Sequence, residues 1–200
     1  MKDPKQRAGV SRRAFLQGSS AAAAATALAG GPGLVSAQEA GPEVARGKQD
    51  ITLNINGKEH KVQVEPRMTL LEVLRFQLGL TGAKPVSPAG DVGAATVIID
   101  DKPAAADTTL ALSCRGKKIQ TVESLGGKEP DAVVKAFVKH DAEQCGFCTP
   151  GFVVAVRAFL SKNPRATEAE IRSGLNGNLC RCGTYANVIQ AALAVVKGGS

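Results

Sequence analysis

Tryptophan is absent from this sequence, tyrosine occurs once, and aromatic residues make up 4% of its 200 residues. A core must therefore be packed from Ala, Val, Leu and Ile. The interleaved basic and aromatic surface that single-stranded nucleic acid favours has nothing to form from, so no nucleic-acid partner is expected. Histidine occurs only at His60 and His140, read as a strand-surface residue and a helix-end residue. No Ser/His/Asp set, paired carboxylates or phosphate-binding loop stands out. The glycine pair in VESLGGKEP is a turn, too short for a nucleotide motif. The net charge of +7 is concentrated at one end: five of the cations and one anion lie in residues 1–37, so the chain beyond carries only +3.

Residues 1–37 have the three parts of an export signal. SRRAFL, with Arg12 and Arg13 adjacent, precedes the Ala-rich run Ser19–Gly30, and small residues lead to a cut expected after Ala37. The run of 12 residues reaches about 18 Å as a helix, against a hydrocarbon core about 30 Å thick. No transmembrane segment is therefore expected in the mature chain. A twin-arginine signal carries folded proteins, which suits delivery to the periplasm of a protein that receives its cofactor inside the cell.

After a polar linker (38–50) the pattern divides. In residues 51–125, ITLNINGKEHKVQVE alternates apolar and polar residues around Asn56-Gly57, a hairpin signal. Thr69 and Glu72 are spaced as a capping box opening the helix TLLEVLRFQLGL. ATVIID and KKIQTV read as further strands, giving an α+β half. Residues 126–200 change to helical period in four segments: DAVVKAFVKHDA, PGFVVAVRAFLSK, TEAEIRSGL and YANVIQAALAVVK. Their short connections suggest a bundle.

Four of the five cysteines lie in the helical half, as Cys145-Gly-Phe-Cys148 and Cys180-Arg-Cys182, each pair at a helix junction. Two short chelating pairs folded together can enclose a metal centre with four thiolates. Disulfides suit an exported chain, but a Cys-x-Cys pair is a poor disulfide partner for itself. Zinc and iron–sulfur remain open on the residues alone, since four thiolates suit both.

The stretches HDAEQCGFCTPGF and GLNGNLCRCGTY resemble the small iron–sulfur subunit of the xanthine dehydrogenase/molybdenum hydroxylase family, most closely its isoquinoline 1-oxidoreductase and aldehyde dehydrogenase branch. The resemblance runs from about Ile51 to Val196. It implies a β-grasp, ferredoxin-like domain followed by a four-helix domain that binds a 2Fe–2S cluster through Cys145, Cys148, Cys180 and Cys182. It further implies that Gln144 lies beside the pterin of a molybdopterin cofactor carried by a large partner subunit.

Relatives hold a second cluster in the ferredoxin-like half. At its four ligand positions this sequence has Ser87, Val92, Ala95 and Asp107. Val and Ala have no donor atom, so that cluster is expected to be missing. Cys114 falls seven residues past Asp107 and reads as a small core residue. The resemblance thus implies an electron-transfer subunit with one 2Fe–2S cluster, passing electrons from a molybdenum centre to an external acceptor such as a c-type cytochrome. The alternative is a structural or interaction subunit with a four-cysteine zinc site or no metal.

Overall fold

Asn56 and Gly57 both take positive φ, 53° and 76°, the two-residue turn whose twist matches paired strands. The turn joins β1 (Gln49–Ile55) to β2 (Lys58–Val64), antiparallel with Ile55 opposite Lys58. The computed structural model that shows this describes Arg13 and residues 44–198. Apart from Arg13, the export signal and its cut lie outside the described residues. Alternation turns Ile51, Leu53, Ile55, Val62 and Val64 inward, leaving Lys and Glu side chains outside.

Thr69 caps the next element as its spacing demands: Glu72 N–H donates to Thr69 Oγ1, and the Glu72 carboxylate accepts from Thr69 N–H at 2.8 Å. The single helix expected over TLLEVLRFQLGL is shorter and wider than its pattern suggests. Leu70–Glu72 is α-helical and Val73–Gln77 is π-helical, together α1. The wide turn closes with Leu78 N–H donating to Val73 O, and Arg75 Nη1 binds the carbonyls of Thr81 and Ala83 beyond it. Val73 and Leu74 are thereby buried and Phe76 is turned into solvent.

β3 (Thr96–Ile99) forms a hairpin with β4 (Lys102–Ala105), a strand not expected from the sequence. KPAA offers no β-branched residue and contains Pro103, which only an edge strand tolerates. Its turn is made by Asp100 and Asp101 at φ 47° and 62°, without glycine. After a 3₁₀ turn at Ala111–Cys114, β5 (Lys118–Gln120) enters parallel to β1 and antiparallel to β3, giving the mixed sheet β2-β1-β5-β3-β4. Asn56 also ties this centre together: its Nδ2 donates to Thr121 Oγ1 and its Oδ1 accepts from Thr121 N–H, both at 2.9 Å.

Beyond a 3₁₀ turn at Val122–Leu125 come four helices: α2 (Ala132–Lys139), α3 (Thr149–Lys162), α4 (Glu168–Gly174) and α5 (Tyr185–Val196). Each falls on a segment of helical period. The Thr167–Glu170 capping box forms, and Pro150 sits in the first turn of α3, where its missing N–H costs nothing. The α+β expectation holds. Among the described residues no helix is long and apolar enough to cross a membrane.

Two cores result, one under the sheet and α1, one among the helices. β3 joins them: Val97 and Ile99 face the first, while Ile98 packs on Val154 and Ala158 of α3. That two-sided burial explains why TVII reads as an unbroken apolar run. Cys114 is fully buried in the first core.

The halves meet most closely at three glycines. A Cβ on Gly151, in the first turn of α3, would lie 2.3 Å from Gly93 O, and one on Gly93 would lie 2.4 Å from Gly177 O. Asn178 Nδ2 donates to Gly93 O at 2.9 Å, and Leu179 N–H donates to Val92 O at 3.0 Å. Backbone thus packs on backbone where no side chain fits. Gly151→Ala should lower unfolding stability by about 1 to 3 kcal/mol, measured by chemical denaturation of the mature chain.

Candidate metal centre

The first cysteine loop begins where α2 ends. Asp141 takes φ 48°, Asp141 N–H donates to Val138 O, and Ala142 N–H donates to Phe137 O. This is a Schellman ending with Asp where glycine is usual. Asn187 Nδ2 of α5 pins the turn through Asp141 O at 3.0 Å. The chain then runs through exposed Glu143, Gln144 and Cys145, turns at Gly146 (φ 76°), and brings Cys148 to the cap of α3.

The second loop leaves α4 and is tied to the first half by Asn178 and Leu179. It delivers Cys180 into a buried position, where Cys180 N–H donates to Tyr185 Oη at 2.8 Å. Tyr185 itself stands edge-on to Phe152, with ring centroids 6.1 Å apart. Gly183, at φ 86°, turns the chain into α5.

The two loops present their thiols as two pairs. Cys148 and Cys180 each perturb the other's thiol, and Cys145 perturbs that of Cys182, so each cysteine of one loop lies close to one of the other. Each pair takes one cysteine from each loop. The inner pair, Cys148 and Cys180, is half-buried and buried; the outer pair is exposed. All five cysteines are free thiols, so the disulfide alternative is not realised.

The sequence pointed to four cysteines around one metal centre, and the two loops that carry them meet at one recess. Among the described residues no three His, Cys, Asp or Glu side chains gather tightly enough to share one ion. Tetrahedral zinc requires four sulfurs about 2.3 Å from a single point. A 2Fe–2S cluster takes four cysteines as two per iron, which is the paired arrangement. A recess of about 390 Å³ lies against Cys145, Cys148 and Cys180, walled by Val86, Val92, Ala94, Phe147, Leu179, Arg181 and Tyr185. Next to Cys148, the Thr149 hydroxyl is buried without a hydrogen-bond partner.

The inner pair divides its protons unequally. Burial pushes the Cys148 thiol up to about 12, reinforced by Cys180 and Cys145. Burial also raises Cys180, but hydrogen bonds from the Thr184 hydroxyl, the Thr184 and Gly183 backbone and Cys148 outweigh it and hold this thiol at about 7. Near neutral pH the metal-free pair is thus poised between thiolate and thiol, and metal binding releases the remaining proton.

Of the residues at the four other aligned positions, Val92 and Ala95 carry no donor atom. Ser87 Oγ accepts from Ala89 N–H at 3.2 Å, and Ala95 is buried in the sheet core. Val92 lines the cysteine recess, and Asp107 shares a groove with Ser87, its carboxyl pushed up by burial.

Known proteins resemble this chain in sequence and in fold. A family model described as a [2Fe-2S] binding domain matches residues 121–193. A probable xanthine dehydrogenase subunit of Bacillus subtilis is 35% identical over 158 residues, covering 79% of this chain and 91% of that protein. The iron–sulfur-binding subunit PaoA of the Escherichia coli aldehyde oxidoreductase is 37% identical over 190 residues, covering 86% of this chain and 82% of its own.

This chain belongs to the iron–sulfur subunits of the molybdenum hydroxylase family. Among solved structures, quinoline 2-oxidoreductase from Pseudomonas putida 86 superposes with a TM-score of 0.71 at 39% identity, covering 76% of this chain and 99% of the matched one. The chain is therefore a 2Fe–2S-binding subunit of an oxidoreductase complex that does not itself transform substrate.

Two site features of this molybdenum hydroxylase subunit escape sequence reasoning. The Thr184 hydroxyl lies against the Cys180 sulfur, and Asn178 reaches across to Gly93; no local pattern marks either residue. In the metal-free mature chain one cysteine should ionise near pH 7, well below the ordinary 9.0. A pH titration of ultraviolet thiolate absorbance checks this: Cys180→Ser should abolish that step.

Proposed function

We propose that this chain is the electron-transfer subunit of an exported molybdopterin-dependent dehydrogenase or hydroxylase, holding one 2Fe–2S cluster on Cys145, Cys148, Cys180 and Cys182. The observation that carries this reading is the meeting of the two cysteine loops at one recess, lined by free Cys145, Cys148 and Cys180. When bound, the cluster supplies a one-electron site serving a two-electron oxidation on the partner's molybdenum. The chain's residues present the sulfurs, shield the inner pair from water and direct donors at Cys180.

The names of the relatives point to an aldehyde or a nitrogen heterocycle as the substrate class of the whole complex. Gln144 is exposed directly before Cys145, which supports its contact with the pterin of the large subunit. Beside the recess Val86, Phe147 and Leu179 are 49%, 48% and 50% exposed. An apolar collar of this kind marks a docking face, here for the large subunit.

The first half is read as a β-grasp, ferredoxin-like scaffold without a cluster of its own, because Val92 and Ala95 offer no donor atom. The second half is read as a four-helix cluster-binding domain. With one cluster, electrons leave to an acceptor docked close by, a c-type cytochrome in the periplasm. The SRRAFL segment and the small residues before Ala37 support delivery there by the twin-arginine route.

The dithionite-reduced complex should give a single rhombic EPR signal; two distinct signals contradict the single-cluster reading. Cys180→Ser should lose the iron and stop electron delivery while the complex still assembles. Full activity in that variant defeats the electron-transfer role.

A further inference from the structure

Thr184 occupies the position where a threonine normally caps a helix, yet its side chain makes no capping hydrogen bond to α5. Its residue is 6% exposed, and its Oγ1 lies 3.2 Å from Cys180 Sγ. A buried hydroxyl that forgoes the helix N-terminus must find another partner, and the sulfur is the partner it has. Between a free thiol and a hydroxyl either group can donate. Once Cys180 is a thiolate ligand it has no proton, so Thr184 becomes the donor and the sulfur the acceptor.

We propose that Thr184 sets the reduction potential of the centre by donating its buried hydroxyl hydrogen bond to the Cys180 sulfur. The inference rests on the reading of Cys180 as a cluster ligand. Reduction adds one electron to the iron–sulfur unit, and part of that charge appears on the ligand sulfurs. A donor fixed on Cys180 therefore binds the reduced state more strongly than the oxidised state and raises the potential. The backbone N–H groups of Gly183 and Thr184 act on the same sulfur, but they survive side-chain substitution. The hydroxyl is the part of the device that a mutation can remove alone. The outer pair is exposed to solvent, so water already serves those sulfurs. The fixed donor matters most at the inner position, from which water is excluded. Thr184 is a positioning residue in this sense: it acts through Cys180.

The test is a redox titration, followed by EPR, of the wild-type holo-protein and the variants Thr184→Val, Thr184→Ala and Thr184→Ser. Valine keeps the shape and loses the donor; serine keeps the donor. Thr184→Val, with iron and acid-labile sulfide at the wild-type level, should show a one-electron reduction equilibrium about tenfold less favourable, a midpoint about 59 mV lower. Thr184→Ser should stay with the wild type, and Thr184→Ala should follow valine. A fully loaded Thr184→Val protein with the wild-type midpoint overturns the proposal. So does failure of both Val and Ala to hold iron while Ser holds it, since the hydroxyl is then needed for assembly rather than for potential. A wild-type protein without labile sulfide defeats the ligand reading itself, a separate and recognisable failure.

Discussion

Everything at the centre depends on the carbonyl oxygen of Gly93. Asn178 Nδ2 and the Thr96 hydroxyl both donate to it, at 2.9 and 2.7 Å, and Gly151 packs against it with no room for a Cβ. Asn178 stands two residues before Cys180, and Gly151 three after Cys148. One short segment of the first half therefore positions the ends of both cysteine loops. A side chain at Gly93 or Gly151 would move one loop relative to the other, and four thiols in two pairs tolerate little such movement. In an interior packed as densely as a crystal, an ångström of displacement has no free space to enter.

This junction gives the first half a physical role that does not require a metal of its own. The segment carrying Val92, Ala94 and Ala95 walls the cysteine recess and anchors its second loop through Leu179 N–H. Val92 and Ala94 give the recess an apolar wall on that side. Burial on that side and exposure on the other make the two cysteine pairs unlike: one protected and hydrogen-bonded by protein, the other open to a partner. Charges interact more strongly where water is excluded, so the inner pair is where the protein can tune the centre.

Much of this was legible in the sequence, for local reasons. Asn56-Gly57, the two capping boxes and the four segments of helical period each encode their element within a few residues, and each forms. The cysteine spacing located both loops at helix ends. What stayed hidden is what depends on distant partners. The edge strand Lys102–Ala105 has the composition of a loop and becomes a strand only because β3 offers it an edge. The π-helical turn depends on Arg75 reaching the carbonyls of Thr81 and Ala83. The closeness of the cysteines arises from the meeting of two loops more than thirty residues apart, between Cys148 and Cys180, and the turn of Thr184 from its helix to the Cys180 sulfur follows from the burial of both.

The claim on which the rest stands is that two pairs of thiolates hold a two-iron unit. X-ray absorption at the iron edge of the holo-protein tests it most directly. The account predicts iron coordinated by sulfur alone, with one short iron–iron vector. Zinc in place of iron, or iron bound to nitrogen and oxygen without a neighbouring iron, would contradict it.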